Sequence, residues 1–201
     1  DFKASILSPC LMVGDNGQGK SLLAKCLAGA ISFQGLAAIQ GSGQNTGTRL
    51  LFQDVINQTL LRSSKMLARS QRCAEHLEAA DLFESIIRRV QSDRSAPVTQ
   101  DQTDANSLLA VKIMLTAIRL CTRPSAIILD EPDWGLTRSA AGAYVAAVIQ
   151  QAHAMGVGVI IISHKPWWQQ LAQSILQVAK HPPADREGKH CRFVIECKTV
   201  D

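Results

Sequence analysis

The segment that most constrains the fold is a run of eight residues, Gly14-Asp15-Asn16-Gly17-Gln18-Gly19-Lys20-Ser21. It follows an apolar run typical of a strand, Cys10–Val13, and opens an apolar stretch without glycine that is typical of a helix, Ser21–Ala28. A glycine-rich turn before a helix is the plainer interpretation of such a run. In this strand–loop–helix context, however, the pattern predicts a phosphate-binding loop, because it consists of a glycine, four residues and then Gly-Lys-Ser.

The chemistry of such a loop follows from its backbone. Glycines let backbone N–H groups curve around phosphate oxygens, and the positive end of the helix adds to the attraction. We expect Lys20 to reach the β- and γ-phosphates and Ser21 Oγ to ligate Mg²⁺.

Composition favours a globular protein in a reducing compartment. The 201 residues suit one domain with a small subdomain, and a 46% hydrophobic share with 4% aromatics predicts a core of Leu, Ile, Val and Ala. None of the six cysteines forms a C-x-x-C pair, which predicts a reducing, cytosolic compartment rather than a disulfide scaffold or a metal site. Cys10, Cys26 and Cys121 are expected to be small buried apolar side chains. No apolar run approaches the ~18 residues of a membrane-spanning helix. The net charge of +4 is only weak support for a polyanionic partner.

Strands alternate with helices along the sequence. The predicted strands are Phe2–Ile6, Cys10–Val13, Arg49–Phe52, Ala126–Asp130, Val157–Ser163, 174–179 and 192–196, with a strand or hairpin edge over 31–41. The predicted helices are Lys20–Ala28, Val55–Val90, Asn106 or Ser107 to Cys121, Thr137–Gly156 and a shorter one after Pro166. This order predicts an α/β fold of the P-loop NTPase type, with a mostly parallel core sheet flanked by helices and with antiparallel edge strands. We expect residues 54–110 to form a helical subdomain inserted into a RecA-like core made of 1–53 and 111–201.

Two acids follow the apolar strand Ala126–Leu129. Two buried carboxylates at a strand end are costly unless a cation or a reaction uses them, and ligands bind at this edge of parallel sheets. We expect Asp130 to hold Mg²⁺, directly or through water, and Glu131 to act on the γ-phosphate as a base or as a positioner of attacking water. A pair of turn carboxylates is the plainer alternative.

Two further polar residues follow predicted strands. His164 directly follows the strand Val157–Ser163, so it is expected at the same sheet edge as Asp130. There it could bond the γ-phosphate and hold water. Gln53 follows the strand Arg49–Phe52, where its amide could contact Mg²⁺ and water. Taken alone, each residue reads more simply as a solvated side chain.

The order of these features resembles the ATP-binding cassette (ABC) ATPases, and the resemblance covers nearly the whole chain. The matching segments are Gly14–Ser21 (Walker A), Leu51–Asp54 (Q-loop), Leu129–Pro132 with Gly135-Leu136 (Walker B and the loop after it) and Ser163-His164 (switch histidine). The resemblance implies ATP and Mg²⁺ as ligands, with hydrolysis by Glu131 assisted by His164 and Gln53. It also implies a nucleotide-sandwiched dimer with a second ABC ATPase subunit, a transmembrane permease partner, and a place in the cytoplasm at the inner face of the cell membrane.

Two departures from the family pattern bear on activity. Where the family has the signature Leu-Ser-Gly-Gly-Gln, this chain has Asn106–Ala110, in which only Ser107 matches. In the family this motif holds the γ-phosphate bound by the partner subunit. Ser107 and the helix dipole remain available for that contact, but the glycines that allow close backbone approach do not. Thr137 replaces the aspartate that follows Gly-Leu. We therefore expect hydrolysis to depend on a partner that supplies a complete signature.

Two other functions stay open. The first is a non-transport ABC ATPase acting on nucleic acid, which a pI near 8.8 and a basic stripe permit; the stripe consists of Arg62, Lys65, Arg69 and Arg72. Residues 55–105 are too few for the long coiled-coil arm that such proteins often carry. The second is a nucleotide-binding regulatory module with little catalysis, which the altered signature and Thr137 favour.

Overall fold

The computed structural model describes residues 8–32, 47–55, 74–92, 107–181 and 192–199. Its strands are β1 (Cys10–Val13), β2 (Thr48–Leu51), β3 (Ala126–Asp130), β4 (Gly158–Ile162), β5 (Ser174–His181) and β6 (Arg192–Thr199). Its helices are α1 (Lys20–Leu27), α2 (Ala74–Ser92), α3 (Leu108–Cys121), α4 (Arg138–Ala154) and a 3₁₀ helix (Pro166–Leu171).

The strands form one sheet in the order β2-β3-β4-β1-β5-β6. All neighbouring pairs are parallel except β5 and β6, which are antiparallel. Every residue of β3 and of β4 is buried, as continuous Ile and Val runs require in a sheet covered on both faces. The predicted α/β fold with a mostly parallel sheet, flanking helices and an antiparallel edge is therefore confirmed.

Two apolar clusters lie on the opposite faces of the sheet. Alternate residues of β3 divide between them, since Ile127 and Leu129 belong to the larger cluster and Ile128 to the smaller. The larger cluster takes its helical residues from α2, α3, α4 and the 3₁₀ helix, whereas the smaller one takes Ala24 from α1. The sheet thus lies between α1 on one face and α2, α3, α4 and the 3₁₀ helix on the opposite face. Its faces are covered, so only the ends of its strands are left to bind a ligand.

A buried hydrogen bond joins α3 to α4. The hydroxyl oxygens of Thr116 and Tyr144 lie 2.7 Å apart, and burial raises the pKa of Tyr144. Helix α3 also contacts β2, where the Arg119 Nε atom donates to the Leu50 carbonyl oxygen at 2.9 Å. This continuous helix runs across the predicted boundary between 110 and 111, and the division into a core and an inserted subdomain stays a prediction.

The described helices and strands differ from the predicted ones mainly in the residues at which they begin and end. Strand β2 begins at Thr48, one residue early, and the segment after Pro166 is a 3₁₀ helix. The strands expected at Phe2–Ile6 and over most of 31–41 lie outside the described residues, as does the basic stripe from Arg62 to Arg72.

Cys10, Cys26 and Cys121 take part in no disulfide bond within the described ranges. Cys10 and Cys26 are buried and Cys121 is half-buried. These ranges contain no cluster of three or more His, Cys, Asp or Glu residues able to hold a metal ion. They also contain no helix with the length and apolar character needed to cross a membrane.

Replacing Gly14 with alanine should destabilise the protein. A Cβ atom at Gly14 would lie 2.5 Å from the carbonyl oxygen of Val178, which is backbone and cannot rotate away. We expect Gly14→Ala to lower the free energy of unfolding by about 1–3 kcal/mol, as overpacking does elsewhere. Gly142→Ala in α4 is the matched control, because its Cβ would meet nothing within 4 Å and should instead stabilise the helix by roughly 0.5–1 kcal/mol. Urea unfolding of both variants checks this, and equal midpoints would contradict it.

Candidate active site

The loop between β1 and α1 has the geometry expected of an anion cradle. Gly17 and Gly19 adopt left-handed backbone angles, with φ of 82° and 83°. Gly19 is the N-cap residue of α1 and has no side chain with which to cap the N–H groups of the first helical turn. Uncapped N–H groups at the positive end of a helix are the groups that bind phosphate in proteins.

Lys20 lies folded over this loop. Only 8% of the residue is exposed, and its Nζ atom donates to the carbonyl oxygens of Gly14 at 2.7 Å and Asp15 at 3.1 Å. The ammonium group is therefore held by the loop itself, beside the space that the loop encloses.

Asp130 lies at the end of β3, close to the start of α1. Burial raises the pKa of Asp130, a hydrogen bond from the Ser21 hydroxyl lowers it, the Glu131 carboxylate raises it, and the ammonium groups of Lys20 and Lys25 lower it. The Oδ1 atom of Asp130 is buried and has no hydrogen-bond partner within the described ranges. A buried carboxylate oxygen left open beside a serine hydroxyl is the oxygen donor set that a hard divalent cation takes, so these residues fit Mg²⁺.

Glu131 is held by the loop that follows the neighbouring strand. Its Oε1 atom lies 3.0 Å from His164 Nδ1, and its Oε2 atom accepts a hydrogen bond from Ser163 Oγ at 3.2 Å. Its own N–H donates to the Ile162 carbonyl at 2.9 Å. Glu131 adopts a left-handed φ of 46°, which is strained for a residue with a side chain. The carboxylate is thus fixed at both oxygens, while the side chain of His164 is 53% exposed.

A second set of contacts joins the same two loops. Asp133 accepts a hydrogen bond from the buried indole of Trp168 at 3.3 Å and pairs with Lys165 Nζ at 3.6 Å. Sequence reasoning missed Asp133 and Ser163. Their only signals were their places beside Glu131 and His164 at strand ends, where polar residues are common.

One cleft brings the three residues predicted to be catalytic together. It has a volume of about 320 Å³, and its lining includes Gln53, Glu131 and His164. The cleft also has an aromatic side, where the guanidinium of Arg138 lies 5.4 Å from the ring centroid of Trp167. The parallel sheet therefore assembles side chains from the ends of three neighbouring strands, β2, β3 and β4.

Ser107 occupies a different position, at the start of α3. Its Oγ atom accepts a hydrogen bond from the N–H of Ala110 at 3.1 Å and so caps the helix. The next residue, Leu108, packs so closely on Gly135 that a Cβ atom at Gly135 would overlap Leu108 Cδ2. The start of α3 therefore lies against the loop that follows Glu131.

Comparison with known proteins supports the fold. No family model and no curated protein matches the sequence. Among solved structures, CbiO1 from Clostridium perfringens, part of the ABC transporter complex CbiONQ, is similar with a TM-score of 0.60 at 18% identity, over 85% of this chain and 73% of that one. An ATP-binding subunit of an ABC transporter has a TM-score of 0.51 at 18% identity, over 86% and 75%. The chain has the fold of the ATP-binding subunits of ABC transporters, and the predicted resemblance is confirmed at that level.

One buried charged residue was absent from the site predicted from the sequence. Lys112 lies on α3, is fully buried, and its Nζ atom has no hydrogen-bond partner among the described residues. Burial lowers the pKa of Lys112 from its ordinary 10.5 to about 8, although the carboxylates of Asp133 and Asp54 raise it. A lysine inside the apolar run of α3 was the only sequence signal.

The lowered pKa predicts a pH-dependent stability. Between about 8 and 10.5 the unfolded chain keeps the Lys112 proton and the folded chain releases it, so stability rises with pH in this window. Relative to Lys112→Met, wild type should gain about 2–3 kcal/mol in the free energy of unfolding between pH 7 and pH 10. Urea unfolding of both proteins at the two pH values measures this. A difference independent of pH would show that Lys112 titrates normally.

Proposed function

We propose that this chain is an ABC-type subunit that binds ATP with Mg²⁺ and hydrolyses it to energise a membrane transporter. The observation that carries the proposal is the open, buried Oδ1 atom of Asp130. It lies beside the Ser21 hydroxyl of the glycine loop and belongs to the residue that precedes Glu131. The glycine loop, a set of oxygens for the cation and a fixed carboxylate therefore meet at one sheet edge.

The glycine loop takes the phosphates. The backbone N–H groups of Gly14, Asp15, Asn16, Gly17, Gln18 and Gly19 surround them, and Lys20 turns from its loop carbonyls to the β- and γ-phosphates. Ser21, Asp130 and Gln53 hold Mg²⁺, directly or through water. When bound, Mg²⁺ neutralises the charge that develops on the phosphate oxygens.

Glu131 acts on the attacking water. It accepts a proton from the water, or orients it, while the water oxygen bonds to the γ-phosphorus and the bond to the ADP oxygen breaks. His164 holds Glu131 through Nδ1, and we assign its Nε2 atom to contact with the γ-phosphate. Gln53, on the same cleft, contacts the cation and the water.

The partners follow from the proposed role. One is a second ABC ATPase subunit, identical or different, and the other is a transmembrane permease that the ATPase pair drives. CbiO1, which has a similar fold, is described as part of an ABC transporter complex. We place the chain in the cytoplasm, at the inner face of the cell membrane.

A second candidate is a nucleotide-binding module with little turnover of its own. It is favoured by the start of α3, where Leu108 and Leu109 occupy the positions of the signature glycines. Leu108 packs on Gly135, and Ser107 is engaged in capping the helix. A bulky helix start limits the approach of a phosphate bound by another subunit. Single-turnover hydrolysis by the chain alone, compared with the chain mixed with its partner, separates the two candidates.

Removing the Lys20 charge should abolish tight nucleotide binding. Lys20→Met deletes charge-assisted hydrogen bonds to phosphate, so we expect the affinity for ATP to fall about 10²-fold. Titration with a fluorescent ATP analogue in excess Mg²⁺ measures the dissociation constant. Lys198→Met on the exposed face of β6 is the matched control and should bind like wild type. Equal affinity of the two variants would refute the phosphate role of Lys20.

Replacing Glu131 with glutamine should separate binding from hydrolysis. Glu131→Gln keeps the side-chain shape but cannot accept a proton, so single-turnover hydrolysis should fall by about 10²-fold or more while ATP affinity stays within roughly threefold. Glu84→Gln, exposed on α2, is the control and should leave both quantities unchanged. Unchanged hydrolysis in Glu131→Gln would sink the assignment of this residue.

A further inference from the structure

Lys112 is a buried charge without a hydrogen-bond partner among the described residues. It lies on α3 between apolar neighbours, is 0% exposed, and its Nζ atom makes no hydrogen bond within the part of the chain that the structure describes. Removing an ammonium group from water is expensive unless other charges compensate for it, and a methionine of similar length would fill the same space without that penalty. We therefore expect a buried ammonium at this position to interact with nearby carboxylates that offset the cost of its burial.

Two carboxylates act on Lys112, and they come from different loops. Asp54 lies on the loop after β2, and Asp133 lies on the loop after β3. Both carboxylates favour the charged form of the lysine, and its pKa of about 8 keeps most molecules charged at neutral pH. The ammonium group is thus a buried positive charge on which carboxylates from both loops act.

Each of these carboxylates adjoins a residue of the proposed active site. Asp54 directly follows Gln53, and Asp133 lies two residues after Glu131. Asp133 also accepts the hydrogen bond from Trp168 and pairs with Lys165, so its position fixes the contact between the loops after β3 and β4. A displacement of Asp54 therefore moves Gln53 through one peptide unit, and a displacement of Asp133 moves Glu131 through two.

We propose that Lys112 is a positioning residue, whose buried ammonium attracts Asp54 and Asp133 and so holds Gln53 and Glu131 at a fixed separation across the cleft. Lys165 cannot replace it, because the Lys165 side chain is 44% exposed and solvent screens its pairing with Asp133. A buried charge is screened far less and acts on both loops together. The kinetic consequence rests on the proposed ATPase function, whereas the structural consequence does not.

The kinetic test compares Lys112→Met with wild type in the full chain, together with its partner subunit where turnover requires one. Loss of the ammonium should lower kcat about tenfold or more, because small displacements of catalytic groups reduce rates strongly. The dissociation constant for ATP should stay within twofold, since the glycine loop is untouched. Lys112→Gln, a second variant without charge, should show the same split.

Thr116→Val is the matched control for damage to α3. Thr116 lies one helical turn after Lys112, is equally buried and carries no charge, and valine removes its hydrogen bond to the Tyr144 hydroxyl. We expect this variant to lose stability but to keep kcat. A kcat of Lys112→Met within twofold of wild type, or an equal loss in Thr116→Val, would overturn the positioning role.

A readout independent of activity keeps the two proposals apart. The chain has three tryptophans, and the indole N–H of Trp168 donates to Asp133, so its ¹H–¹⁵N resonance reports on that carboxylate. Trp134→Phe and Trp167→Phe assign the peak by elimination. Lys112→Met should shift the Trp168 resonance, and Thr116→Val should not. An inactive wild type with a shifted resonance would refute the ATPase function alone. An active wild type with an unmoved resonance would refute the role of Lys112 alone.

Discussion

Parallel pairing of the central strands is the constraint on which the rest of the structure depends. The register that sets Asp130 opposite Ile162, and Met12 opposite the same residue, brings the ends of β3, β4 and β1 to one edge. The glycine loop, Glu131 and His164 leave the sheet from these three ends, and Gln53 follows β2 beside them. A slip of one residue in any pair would move each side chain of that strand to the opposite apolar cluster and shift its end relative to the neighbouring strands, so the packing that fixes the register also aligns the site.

The sequence was most informative where one physical signal acted alone. The strand Ala126–Asp130 has the predicted bounds, and its continuous apolar run is typical of a strand buried on both faces. Lys20 began α1 as expected, directly after Gly19 in its left-handed conformation. Gln53, Glu131 and His164, each singled out by its place at a strand end, line one cleft, since parallel strands present their carboxyl ends together.

The features that escaped prediction depend on tertiary pairing. Ser163, Asp133 and Lys112 are ordinary residue types in ordinary local contexts, and their roles arise from neighbours that are distant along the chain. The strand order was equally hidden, because local patterns give the faces of a strand but not its neighbours. The 3₁₀ form of Pro166–Leu171 was also not predicted, as a short proline-led segment suits either helix type.

The left-handed backbone at Glu131 sets stability and chemistry against each other within one residue. A side chain in this conformation costs about 1–2 kcal/mol that glycine would not incur. The loop bears that strain to present a carboxylate between Ser163 and His164. Selection for thermal stability alone would therefore favour glycine at position 131, and the carboxylate proposed to act on water would be lost. A thermostable variant that keeps its activity therefore has to be selected for turnover and for thermal stability at the same time.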